Sequence, residues 1–115
     1  MPYLKITTNL ALEGAQKVAL ATELSHLIAQ ALDKPAHYVM TEIADAKTLF
    51  FAGNDQPAAY LECKSIGLTA LHATTLAASL CRHLTSVLPL TADRIYIEFS
   101  NSSAQFWFLH LNSCF

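Results

Sequence analysis

The chain has 115 residues, 53% of them hydrophobic and only 14% charged, with a formal net charge of -2. That length supports one domain around one core, and the near-neutral charge gives no basic footprint for nucleic acid. No apolar run reaches the ~18–20 residues that span a bilayer, and the start shows no basic segment followed by an apolar one, so no secretory signal is expected.

A typical domain has about 25% charged residues. The deficit here implies that another subunit covers part of the surface. Cys63, Cys81 and Cys114 form neither a CxxC pair nor a zinc spacing. Their odd number suits reduced thiols in the cytoplasm.

In chain order, Pro2 heads "YLKIT", which alternates apolar and polar residues as a strand does. Proline lacks the donor a ladder needs and is tolerated at the first residue of a strand. Helical spacing follows over 12–32, with Leu20, Leu24, Leu27, Ile28 and Ala31 on one side and Glu13 in the first turn. Asp33, Lys34 and Pro35 mark its exit. "HYVMTEI" (37–43) reads as a strand, "TLFFAG" (48–53) as a short strand, and "GNDQP" (53–57) as a turn. "YLECKSIG" (60–67) is a strand again. A helix is expected over 69–88, with Leu76, Leu80, Leu84 and Val87 on one face, and Pro89 ends it. "RIYIEF" (94–99) and "QFWFLHL" (105–111) complete the expected strands.

The sequence repeats at an offset of about 56–57 residues, with Tyr3-Leu4-Lys5 matching Tyr60-Leu61-Glu62 and Val39–Ile43 matching Ile95–Phe99. One domain over 1–115 is therefore expected, with pseudo-repeats of about 2–57 and 58–115. Each copy is a β-α-β unit, whose crossover is right-handed and whose strands pair in parallel. The fold class is α+β: a four-stranded mixed sheet with two helices on one face. Tyr3 and Tyr96 give the strands apolar character on their second parity, so the uncovered face also calls for a partner.

Pro2 behind the initiator, "DKP" after the first helix, "KSIG" after the third long strand, "ADRIYI" and the tail "NSCF" occur together in this order. In this the chain resembles the macrophage migration inhibitory factor (MIF) family of the tautomerase superfamily. The likeness runs over nearly its whole length. It implies the tautomerase/MIF fold, a homotrimer with sites at subunit interfaces, and keto–enol tautomerisation of small acids such as phenylpyruvate. Some animal members are secreted without a signal peptide. The cytoplasm is the expected location, with that route and a receptor partner as the alternative.

Tautomerisation needs a base beside a carbon acid and positive charge at the enolate oxygen. Removal of Met1 would free the Pro2 nitrogen as a secondary amine. An apolar pocket or a nearby cation would lower its pKa from the ordinary value of roughly 8 and leave it basic. By resemblance, Lys34 contacts the substrate carboxylate, the Ile66 backbone amide anchors substrate, and Tyr96 enters the pocket of the neighbouring subunit. Glu98 departs from the pattern, because cytokine-type members carry Asn there. Strand alternation puts it on the face of Tyr96. Its charge would raise the Pro2 pKa, occupy Lys34, or select a different substrate.

"FWFLHLNSC" is bulkier than the family's usual wall. Trp107, Phe108, His110 and Phe115 are candidates for it. The family's CxxC positions hold Ala58 and Leu61, which disfavours thiol redox chemistry. Cys63 reads as a small apolar strand residue and Cys81 as facing the core. The histidines are scattered, so neither metal nor cofactor is expected. The alternative function is a non-catalytic signalling or binding protein on the same trimeric scaffold.

Overall fold

The computed structural model describes residues 1–108. Strand β1 (Tyr3–Thr8) leads through helix α1 (Gly14–Leu32) to β2 (Met40–Ala44). After a long connection, β3 (Ala59–Ile66) leads through α2 (Ala70–Val87) to β4 (Ile95–Ser102). The sheet order is β2-β1-β3-β4. Each β-α-β unit pairs its own strands in parallel, and the two units join antiparallel along β1 and β3. The expected duplicated, mixed four-stranded sheet is therefore present.

The buried face follows the two sequence periods. Leu4 and Ile6 of β1 and Leu61 and Cys63 of β3 point to one side, where Leu20, Leu24, Ile28, Leu76, Leu80 and Leu84 of the helices meet them. In α1 the apolar stripe is continued by Ala29 and Leu32, while Ala31 is exposed. Position 32, four after Ile28, lies one turn further along the same face. Val87 sits in the last turn of α2 and is 42% exposed, so the face there ends at Leu84 and passes to Leu88 and Leu90. Cys81 is half-buried rather than fully in the core.

The helix ends differ. Thr69 and His72 form a capping box at the start of α2. Glu13 precedes α1 without a side-chain cap. There Asp45 accepts hydrogen bonds from the Leu12 amide at 2.9 Å and from Lys17 at 3.4 Å. These bonds hold the Asp45 carboxyl below the usual carboxylate range.

Two expected strands are not seen among the described residues. The stretch 48–53 contributes only an isolated bridge between Phe51 and Asn54. A four-residue apolar run carries no decisive period, and side chains satisfy the carbonyls of Leu49 and of the turn that follows the run. Asn9 donates to Leu49, Asp55 and Gln56, and Arg94 donates to Pro57 and Gln56. At the other end, Ala104–Phe106 is a 3₁₀ turn opened by Ser103, whose side chain accepts from Gln105. Residues 109–111 of that expected strand lie outside the described residues.

The face without helices is less apolar than the sequence suggests. Its middle row runs Glu42, Lys5, Glu62, Glu98 across the four strands. The exposed large apolar groups gather at the two outer strands instead, with Met40 on β2 and Tyr96 on β4.

Candidate active site at the start of the first strand

Pro2 is fully buried, just ahead of β1, and its carbonyl accepts from the Met40 amide at 3.0 Å. That bond ties the chain start to the head of β2. A cavity of about 220 Å³ opens there, lined by Met1, Pro2, Tyr3, Tyr38, Met40, Trp107 and Phe108. The walls are mostly aromatic and apolar, and the nitrogen end of the chain lies in them.

Lys34 reaches this region because α1 stops sharply. Asp33 adopts the left-handed conformation (φ 53°), and the Lys34 amide closes back on the Ala29 carbonyl at 2.9 Å. Asp tolerates this conformation better than most residues. Pro35 then prevents further helix. The terminal amine, that of Met1, titrates below its ordinary value, first through partial burial and then through the positive charge of Lys34. Both causes favour the neutral amine.

Tyr3 is directed differently. Its hydroxyl donates to Glu42 at 2.7 Å, and that bond, with burial and the charges of Glu42 and Glu62, pushes its pKa up to about 12. It is a neutral wall at any ordinary pH.

Of the sequence candidates, Pro2, Trp107 and Phe108 line one cavity, and Lys34 acts on the amine there. Ile66 ends β3 opposite Ser102 and is half-buried, but its side chain is not part of the cavity wall. Phe115 and His110 lie outside the described residues. Cys63 is buried and its thiol is pushed up to about 11 by burial, which leaves it unreactive at neutral pH.

Tyr96 and Glu98 stand elsewhere. Tyr96 pairs with Tyr60, which pairs with Thr7. Thr7 is five residues beyond Pro2, so Tyr96 is about 17 Å along the strands and about 10 Å across them from the chain start. Glu98 pairs through Glu62 with Lys5, which leaves it about 10 Å away in each direction. Both are exposed on the helix-free side of β4, Tyr96 at 64%. One chain does not bring them to Pro2.

Tyr96 instead borders a second cavity of about 210 Å³ with Leu49, Phe50, Phe51, Tyr60 and Arg94. Phe51 meets the Tyr96 ring edge-on at 5.2 Å, and the Arg94 guanidinium lies 5.3 Å from the Phe51 ring centre. These contacts hold the Tyr96 edge firmly. Tyr38 and Met40 at the first cavity and Phe51 at the second lie in no motif, and Arg94 lies in "ADRIYI" without a role assigned to it there. Only the fold brings them to these positions.

A four-stranded mixed sheet beneath two helices, with a proline-headed first strand under an aromatic cavity, is the scaffold of the tautomerase superfamily. The family profile described as "Macrophage migration inhibitory factor (MIF)" matches residues 1–107. The chain belongs to that family. It is 31% identical over 105 residues to a macrophage migration inhibitory factor homolog of Brugia malayi, covering 90% of each. The solved macrophage migration inhibitory factor homologue of Prochlorococcus marinus superposes with a TM-score of 0.88 at 33% identity, over 94% of this chain and 95% of that one. The Toxoplasma gondii structure gives 0.86 at 30% identity, over 93% and 95%.

Proposed function

We propose that the protein is a tautomerase of small α-keto acids and their enols, of which phenylpyruvate is the simplest aromatic example. The observation that carries this reading is the buried chain start. Pro2 lies under an apolar cavity, and at the chain start there burial and then Lys34 lower the pKa of the Met1 amine, an environment that the Pro2 amine would inherit. With Met1 removed, the Pro2 nitrogen takes the proton from the carbon next to the keto group. The enolate oxygen gains negative charge, which Lys34 offsets, and a proton then returns to that oxygen. The ketonisation of an enol runs these steps in reverse. Ile66 contributes its backbone amide, Trp107, Phe108 and Phe115 the apolar wall.

Each site forms between two copies in a homotrimer. Supporting this are the positions of the exposed apolar groups. Met40 and Phe108 lie at the β2 side and Tyr96 and Phe50 at the β4 side. Two unlike patches on opposite edges suit a head-to-tail contact, which closes as a ring and covers both free strand edges. Tyr96 then enters the cavity of the next copy.

The test combines intact mass with kinetics. Loss of Met1 and ketonisation of phenylpyruvate that collapses in Pro2→Gly support the reading. Activity unchanged by Pro2→Gly overturns the amine mechanism. A non-catalytic signalling role on the same trimer is the second reading, and the carboxylate of Glu98 favours it. Absence of turnover in protein with a verified Pro2 terminus would decide for it.

A further inference from the structure

The edge of β4 that carries Tyr96 also carries an uncompensated negative charge. Glu98 is exposed on the same side of the strand. Its direct neighbour across the parallel pairing is Glu62. Like charges placed opposite each other on a sheet repel. Lys5 stands beside Glu62 on its far side, and Lys64 lies one same-face step along, opposite Ser100. Among the described residues neither lysine pairs with Glu98, since the ion pairs there are Lys17 with Asp45 and His83 with Glu23. Glu98 accepts a hydrogen bond from the Tyr60 phenol, whose pKa is raised first by burial, then by the charges of Glu98 and Glu62 and by that bond, so Glu98 has a neutral partner but no cationic one among the described residues.

The receiving cavity has the opposite character at its other end, where Lys34 acts on the chain start. Resting on the shared-site reading above, we propose that Glu98 makes the site bipolar and selective for acids that carry a cationic amine at the end opposite their carboxylate. The carboxylate lies toward Lys34 of one copy. The ammonium lies between Glu98 and Glu62 of the next and relieves their repulsion. A purely apolar aryl keto acid leaves the Glu98 carboxylate desolvated with no counter-charge, which is costly.

The test uses ligands that do not react, so binding is read separately from turnover. The mass-verified full chain is titrated calorimetrically with 3-(4-ethylphenyl)propionate and with 3-(4-aminomethylphenyl)propionate, which match in shape. The amine is expected to bind roughly tenfold tighter or more, as one charge-assisted hydrogen bond provides. The preference should narrow as salt is raised. It should fall to near unity in Glu98→Gln and largely survive in Glu62→Gln. Equal binding of the two ligands, no binding of either, or a preference retained in Glu98→Gln would overturn the proposal. Phenylpyruvate turnover measured alongside judges the tautomerase reading by itself. Amine preference without turnover would leave the bipolar site standing and remove the enzyme.

Discussion

The two β-α-β halves share a framework and divide the chemistry. The first half holds the chain start, Lys34 and Met40 at the β2 side of the sheet. The second half holds Tyr96 and Glu98 at the β4 side, braced by Phe51 and Arg94. Their buried faces are nearly interchangeable, with Leu20, Leu24 and Ile28 in one helix and Leu76, Leu80 and Leu84 in the other. Their exposed edges are not. Duplication thus made the core twice and left two different edges, which is what the proposed head-to-tail contact between copies requires.

The largest effect expected concerns the first half alone. Pro2→Gly, or protein that retains Met1, should lose about 100-fold or more in kcat on phenylpyruvate, the usual contribution of a positioned base. The fold should persist with a modestly lower melting temperature, because Pro2 gives no amide donor to the ladder but buries its ring. A loss of structure together with activity would show that the proline is there for the strand.

Next comes the comparison of the cores. Leu24→Ala and Leu80→Ala occupy equivalent buried sites in α1 and α2. Each should cost about 2–5 kcal/mol in denaturant unfolding. Similar values would support one shared core. A cost confined to one helix would break the equivalence of the halves.

Lys34→Ala should act on the pH profile. The lysine charge disfavours a protonated amine at the chain start, as it does for Met1, so its removal should raise the pKa of the freed Pro2 amine. The acid limb of kcat/KM should move to higher pH, and KM for a carboxylate substrate should rise. An unmoved limb would separate Lys34 from the base. The smallest effect distinguishes the helix starts. Thr69→Ala breaks a capping box and should cost about 1 kcal/mol, whereas Glu13→Ala removes no side-chain cap and should cost close to nothing. Thermal melts of both variants check this.

Much of the framework was legible because periodicity is a local signal. Both helices and the four long strands follow from spacing alone, and the matched tyrosines at positions 3 and 60 expose the duplication. Pro2 and Lys34 were legible through the motifs around them. The segment 48–53 was misread because a short apolar run fits a strand, while the carbonyls of Leu49 and of the turn after it are held by Asn9 and Arg94, distant in sequence. The turn at Ala104–Phe106 was hidden for a similar reason, since Ser103 starts it by a side-chain bond. The charged row Glu42, Lys5, Glu62, Glu98 needed the strand order and register, which no single strand reveals.

The claim that the two edges complete each other is tested most directly by complementation. Pro2→Gly keeps the Tyr96 edge and loses the base, and Tyr96→Ala keeps the base and loses the edge. Each variant alone should be weak. Co-expressed, they should form rings of random composition, and over all of them about a quarter of the sites join an intact Pro2 to an intact Tyr96, as random head-to-tail assembly requires. Activity on phenylpyruvate should recover to about that fraction of the wild-type value. Activity no greater than the average of the two variants would contradict a site shared between copies.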